Sequence, residues 1–218
     1  MTDRHLMVID PAVTKPAIES YNRIAFSAPY PVTYHLPALF GLTSLGQMKD
    51  NIRGIIVMGS AASVNDGHAW QDAIRDILFG AFKKEIPVMG LCYGHQLIAH
   101  ICGGKVGPLW SGEKKQGMRT IRINDHSLWG SARSGPLVYS HQDGIIECPP
   151  EFNITAESDL VAIEGIASSS RPIWGFQPHI EATQAFVELS HEIVSNGYRW
   201  IEYHLSLINI RRCRRKER

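Results

Sequence analysis

The stretch Gly90-Leu91-Cys92-Tyr93-Gly94-His95-Gln96 decides the fold. It follows the apolar run Ile86-Pro87-Val88-Met89 and precedes Leu97-Ile98-Ala99-His100-Ile101, whose spacing is helical. The reading is a strand, a sharp glycine-flanked turn carrying a thiol, and a helix. A turn of this kind lifts one side chain to the top of a sheet. Flanking glycines suit it, because a strained turn leaves little room for Cβ atoms. The thiol also falls at a helix N-terminus, where the dipole favours thiolate. Covalent chemistry at Cys92 is the expectation.

Working outward, Arg53-Gly54-Ile55-Ile56-Val57-Met58-Gly59 is a continuous apolar run closed by glycine. That pattern suits a strand covered on both faces, as in parallel sheets. His5-Leu6-Met7-Val8-Ile9 reads as a first buried strand. Trp70, Ile74, Ile77, Leu78, Ala81 and Phe82 recur at helical spacing, and Lys83-Lys84 complements the dipole at that helix's end. Residues 11–45 are proline-rich and weakly periodic. Pro29, Pro31 and Pro37 break any long element there, and the segment is a candidate insertion beside the site.

After Gly103-Gly104 the pattern changes. Met118-Arg119-Thr120-Ile121-Arg122-Ile123 alternates like a half-exposed strand. Strand-like runs follow at 137–139, 153–156, 160–163 and 172–176, and a helical pattern extends from Glu181 to about Leu207. The expected fold is α/β: an open, mostly parallel sheet flanked by helices, with an antiparallel extension. The expected organisation is one domain over residues 1–210 and a basic tail over 211–218.

The chain has 218 residues, 44% hydrophobic and 20% charged, which suits one such domain. No apolar stretch approaches the ~20 residues a membrane span needs. The start, Met1-Thr2-Asp3-Arg4-His5, leads into a strand and not a secretory segment, so a cytoplasmic location is expected. Net charge is +1, but the tail Arg211-Arg212-Cys213-Arg214-Arg215-Lys216-Glu217-Arg218 holds six basic residues. Without it, 16 basic residues face 20 acidic ones. The body offers no basic companion surface, so a frayed, solvated tail is favoured over a nucleic-acid role. The four cysteines (Cys92, Cys102, Cys148, Cys213) form no CxxC pair. Neither a zinc site nor a dithiol is suggested, a reducing compartment fits, and Cys102 reads as core.

A thiol nucleophile needs a base and a group to orient that base. Of the ten histidines, His179 follows the strand Ile173-Trp174-Gly175-Phe176 through Gln177-Pro178, with Glu181 two residues later. A carboxylate there would fix the histidine tautomer and stabilise the imidazolium. Cys92, His179 and Glu181 form a candidate triad, although His-x-Glu alone is a weak signal. Acyl transfer also needs oxyanion donors. The amide of Tyr93 is one, and the turn beginning at Gly59 would supply another, although Gly59-Ser60 also reads as an ordinary turn after a strand. There is no HExxH or other ligand cluster, so no metal site is expected.

Together these residues resemble the class I, or triad, glutamine amidotransferases. Gly90-Leu91-Cys92-Tyr93-Gly94-His95-Gln96 matches that family's G-[LIV]-C-x-G-x-Q elbow at each defined position. Gly59-Ser60-Ala61-Ala62-Ser63-Val64 is similar to its G-G-P-x-S-V oxyanion turn, less two residues. Phe176-Gln177-Pro178-His179-Ile180-Glu181 is similar to its Q-F-H-P-E segment, with proline moved to before the histidine. Ser140-His141-Gln142-Asp143 resembles the Ser-His-x-Asp loop of the GMP synthetase branch. The resemblance implies a flavodoxin-like core. It implies that Cys92 attacks the amide carbon of glutamine, that His179 protonates the departing ammonia, and that water releases glutamate from a thioester. Gln96 and the backbone around Ser140 and His141 would then bind the α-substituents of glutamine. For His141, a loop histidine bonded to its own backbone is the competing reading.

The resemblance leaves three functions open. One is a stand-alone glutaminase, or a subunit serving a separate ammonia-accepting synthetase, since the SGGxDS loop of the GMP synthetase acceptor domain is absent. The second is a hydrolase or transferase of other γ-glutamyl amides, with residues 11–45 reshaping the pocket for a larger leaving group. The third is a binding module without turnover, which the intact Cys92, His179 and Glu181 set argues against. No cofactor is implied.

Overall fold

Five adjacent parallel strands carry the site. The fold is that of a computed structural model, which describes residues 4–47 and 51–182. In chain order the elements are β1 (His5–Ile9), α1 (Ile18–Ser27), β2 (Val32–His35), α2 (Pro37–Phe40), α3 (Thr43–Gln47), β3 (Ile52–Val57), α4 (Ala69–Lys83), β4 (Val88–Leu91) and α5 (Tyr93–Ile101). Then follow β5 (Lys105–Pro108), β6 (Lys115–Ile123), β7 (Arg133–His141), β8 (Asp143–Glu147), β9 (Phe152–Glu157), β10 (Gly165–Ser168) and β11 (Ile173–Phe176).

The main sheet has the order β2-β1-β3-β4-β11-β10-β9-β6-β7. Its first five members are mutually parallel. With β11 in fifth place they follow the 2-1-3-4-5 order of flavodoxin-like sheets. β10, β9, β6 and β7 continue the sheet antiparallel, and β5 pairs with β8 in a separate two-stranded ladder. The fold is therefore the expected mostly parallel α/β sheet with an antiparallel extension.

All five residues of β1 are buried, and their alternation divides them between two cores. Met7 and Ile9 join Ile55, Val57 and Val88 against Ile74 and Leu78 of α4 and Leu97 and Ile98 of α5. Leu6 and Val8 join Ile56 and Leu91 on the opposite face, with Ile24 of α1. Each such side chain contributes about 1.5–3 kcal/mol by leaving water. This double cover makes the parallel block a rigid base for the loops at its carboxyl edge.

Three expectations are revised. Residues 11–45 hold a ten-residue helix and a strand. In α1 only Ser20 and Ile24 are buried, and no side chain caps its start, so its periodicity is faint. β2 is a four-residue edge strand between Pro31 and Pro37, a position where flanking prolines are tolerated. Residues 160–163 are not a strand. Val161 and Ile163 are buried, but the backbone there turns on Ser158, whose N–H donates to the Val161 carbonyl at 2.9 Å. The strand begins at Gly165 instead. Ile180 and Glu181 form a turn where the helical pattern was expected to begin, with the Ala182 N–H donating to the His179 carbonyl at 3.2 Å. The remainder of the expected C-terminal helix and the 211–218 tail lie outside the described residues.

Candidate active site

Cys92 sits between β4 and α5 with φ +50° and ψ −101°, a left-handed conformation for a residue that has a Cβ. Such strain costs about 1–3 kcal/mol and persists only where the surroundings enforce it. Here they do. The Cys92 N–H donates to the Phe176 carbonyl at 2.8 Å, and the Gly94 N–H donates to the Met58 carbonyl at 3.2 Å. The elbow is thus tied to the ends of both neighbouring strands. The two glycines are required by contact. A Cβ on Gly94 would stand 2.2 Å from the Val57 carbonyl oxygen, and one on Gly90 would stand 2.4 Å from that of Gly94.

His179 arrives from the end of β11, its N–H held by the Val138 carbonyl at 2.8 Å. Its Nδ1 lies 2.8 Å from Glu181 Oε1, and its ring also hydrogen-bonds the Cys92 side chain. With Nδ1 engaged by the carboxylate, Nε2 is the ring nitrogen left for proton transfer. All three residues are buried. Burial pulls the His179 imidazole toward neutrality. The opposing charges of Cys92 and Glu181 outweigh it and hold the ring protonated well above its ordinary pH range. The arrangement can move a proton between sulfur and whatever bonds to it.

Gly59 closes the same corner. A methyl group on it would stand 2.9 Å from His179 Cε1 and 3.5 Å from Cys92 Cβ. The turn that follows lacks the family's glycine and proline, and Ser60 supplies a different restraint. Its hydroxyl donates to the Pro11 carbonyl at 2.7 Å and accepts from the Ala62 N–H at 3.1 Å. Ser63 then donates to Asp143 Oδ2 at 2.6 Å, joining this turn to the start of β8. Tyr93 begins α5, so its N–H is among the donors a helix start leaves over. Its ring is buried against Trp70, and its hydroxyl accepts from Gln71 at 3.0 Å.

Two clefts meet at Cys92. One, of about 200 Å³, is walled by His179, Glu181 and the segment from Asp10 to Ala17. The other, of about 120 Å³, is walled by Gln96, Ser140, His141 and Asp143. Lys114 borders both. The sequence-derived substrate residues therefore group on one side of the sulfur. The Ser140 carbonyl lies 3.9 Å from Cys92 Sγ. Gln96 Nε2 donates to the Asp143 carbonyl at 2.7 Å and to Gln177 Oε1 at 3.1 Å, so its remaining free function is an acceptor, suited to an ammonium group.

His141 ends β7 rather than sitting in a loop, and its ring binds the nearby backbone, the bond the competing reading expects. Nδ1 donates to the Asp143 carbonyl at 2.8 Å, and Nε2 accepts from Arg119 at 2.7 Å. Burial, reinforced by the Arg119 charge, pushes its pKa down to about 3, so the ring is neutral. Arg119 is in turn paired with Glu164, Nε lying 2.6 Å from Oε1. Ser158 also donates to that carboxylate at 2.6 Å.

Sequence reasoning missed this support. Arg119 is in phase with Ile121 and Ile123 on the buried face of β6, and a charge in phase with an apolar stripe was the available signal. Asp10 was missed as well. It follows the first strand at the carboxyl edge and holds the loop after it by accepting from Ala12, Ala17 and Tyr34.

Residues 31–198 match the family model for the class-I glutamine amidotransferases. One subunit of the glutamine-hydrolyzing GMP synthase of Pyrococcus abyssi is 35% identical over 149 residues, covering 67% of this chain and 74% of that protein. The glutamine-hydrolyzing GMP synthase of Bacteroides fragilis is 33% identical over 133 residues, but this similarity spans only 25% of its length. A glutamine amidotransferase structure from Thermotoga maritima superposes with TM-score 0.73 at 15% identity, covering 95% of this chain and 96% of that one, and so bears on the fold. Sequence, sheet order and family match agree: the chain belongs to the class-I glutamine amidotransferases.

Proposed function

We propose that this chain hydrolyses the side-chain amide of glutamine through a thioester on Cys92, releasing glutamate and ammonia. The observation that carries the reading is the position of His179, bonded to Glu181 on one side and to Cys92 on the other, where two clefts meet. The Cys92 sulfur bonds to the amide carbon. The oxyanion formed is met by the N–H groups of Tyr93 and Gly59. The His179 imidazolium gives its proton to the amide nitrogen, the C–N bond breaks, and ammonia leaves. Water then attacks the thioester, giving His179 a proton that restores the imidazolium while the sulfur departs as thiolate. Gln96 and the backbone of Ser140 and His141 hold the α-substituents.

We further propose that residues 1–210 act as one catalytic unit and that the ammonia serves a synthetase on a separate chain. Relatives from Methanopyrus kandleri and Pyrococcus abyssi are each named as one subunit of a glutamine-hydrolyzing GMP synthase, and those names support the partnership. The test is ammonia release from glutamine by the purified chain, together with a mass increase on Cys92 from a glutamine-derived electrophile. A chain that releases no ammonia and leaves Cys92 unmodified, alone or with an added synthetase, removes the reading. The second reading, cleavage of larger γ-glutamyl amides, is favoured by the 200 Å³ cleft walled by His179 and the segment from Asp10 to Ala17, far roomier than ammonia needs. Glutamate release from γ-glutamyl dipeptides, with glutamine untouched, selects it.

A further inference from the structure

Gln177 has no part in the steps above, yet its side chain touches the reacting atom. It lies between β11 and His179 and is fully buried. Its Nε2 donates to Cys92 Sγ at 3.6 Å, while its Oε1 accepts from Gln96 Nε2 at 3.1 Å. The orientation of this amide is determined by its neighbour. Gln96 Nε2 also donates to the Asp143 carbonyl at 2.7 Å, so both of its hydrogens face acceptors. Turning the Gln177 amide over would set two NH₂ groups against each other and a carbonyl oxygen against the sulfur. The backbone is pinned too, with the Gln177 N–H donating to the Glu164 carbonyl at 2.8 Å.

We propose that Gln177 is a further catalytic residue: its side-chain N–H stabilises the Cys92 thiolate, and Gln96 holds it in that orientation. This rests on Cys92 being the nucleophile. The relay runs from the Asp143 carbonyl through Gln96 and Gln177 to the sulfur. Gln96 also walls the cleft assigned to the α-substituents of the substrate, so it joins substrate binding to the state of the nucleophile. A hydrogen bond to the charged form favours that form, and an amide donor facing an anion is stronger than one facing a neutral thiol. His179, with Glu181 behind it, faces the same sulfur; Asp10, Lys15, Lys114, His141 and Asp143 lie on the surrounding walls.

The experiment is the pH profile of Cys92 alkylation by iodoacetamide, followed by mass spectrometry in the parent, Gln177→Met and Gln96→Met. His179, Glu181, Asp10 and Lys114 are unchanged in all three. Gln177→Met keeps the length of the side chain and removes the donor. The expected result is a profile midpoint raised by about one pH unit or more, with alkylation at pH 6 slowed roughly tenfold. Gln96→Met should move it the same way by less. A role in packing alone would lower the melting temperature and leave the midpoint in place. Superimposable profiles for parent and Gln177→Met overturn the proposal. Should Gln177→Met not fold, an unmoved midpoint in Gln96→Met does so. A parent enzyme whose Cys92 resists glutamine-derived electrophiles would instead remove the glutaminase reading, and the two failures are thereby separate.

Discussion

Gly59 and His179 are so close that a single methyl group on the first would stand 2.9 Å from Cε1 of the second. The absence of a side chain at one strand end is therefore what lets the imidazole reach the sulfur at the next. Gly59→Ala must push the ring or bend the turn, and either movement spoils an alignment needed within about half an ångström. Turnover is expected to fall about 10²–10³-fold, the scale of losing one oxyanion donor. The fold should lose no more than about 1–3 kcal/mol, as overpacking does. The control is Gly80→Ala in α4, where a Cβ meets nothing within 4 Å. It should leave turnover unchanged and stabilise the helix by roughly 0.5–1 kcal/mol. Thermal melts and steady-state rates on both variants check the contrast.

At Cys92 activity and stability are expected to part company. Its φ of +50° is unfavourable for any residue with a Cβ. Cys92→Ala should abolish turnover while keeping the fold. Cys92→Gly should abolish turnover as fully and melt higher than Cys92→Ala, because glycine relaxes the strain. Equal melting temperatures for the two would show that the elbow stores no strain.

If His179 is the proton donor proposed above, its protonated state sets the basic limb of activity. Burial opposes that state; the charges of Cys92 and Glu181 create it. Glu181→Gln removes one of the two, so the imidazolium loses its proton at lower pH. The basic limb of kcat/KM should move down by on the order of one pH unit. The acid limb should move less. Loss of His179 itself should be more severe than loss of Glu181, because the orienting carboxylate does not transfer the proton. A basic limb that stays in place in Glu181→Gln would disconnect the two residues.

Elements that bury a continuous apolar run could be read in advance, and those that do not could not. β1, β3, β4 and α4 were legible because double burial leaves an unbroken or strictly periodic apolar pattern. The elbow was legible because two steric collisions, at Gly90 and Gly94, require glycine. α1 and β2 were not, since the helix buries two residues and the strand lies on the sheet edge. The pairing of His179 with Glu181 lay open in the chain order. The relay through Gln177 did not, because its partners come from α5 and the start of β8, which only the fold brings together.

Among the buried histidines, two held firmly neutral should make the protein acid-sensitive well above the carboxylate range. His95 and His141 are each pushed down to about 3, chiefly by burial. Their unfolded-state value is about 6.5, so between pH 3 and 6.5 the unfolded chain binds more protons at both sites. Their contribution is complete above about pH 6.5 and is lost as pH falls toward 3, at up to about 1.4 kcal/mol per pH unit for each ring. His179, raised instead, contributes in the opposite sense: fully below about 6.5, with loss as pH rises through its folded value. Melting temperature should therefore decline from pH 6.5 downward, and His141→Gln should flatten the decline. A melting temperature independent of pH from 6.5 to 4 would contradict the neutral assignment.

The Arg119–Glu164 pair allows stability and loop positioning to be measured apart. Both side chains are buried, and Arg119 also donates to His141 Nε2, whose opposite nitrogen holds the Asp143 carbonyl. Arg119→Met leaves the Glu164 carboxylate buried without its cation, which costs about 3–5 kcal/mol in comparable pairs. Removing both charges, as Arg119→Met with Glu164→Leu, removes that penalty, and most of the lost melting temperature should return. Catalytic efficiency (kcat/KM) should not return with it. The His141 ring would still lack its donor, and the Ser140–Asp143 junction of β7 and β8 that faces Cys92 would be held less firmly. The expected signature in the double variant is a raised KM for the amide substrate beside a near-parent melting temperature. Recovery of both together would mean that the pair serves the fold alone.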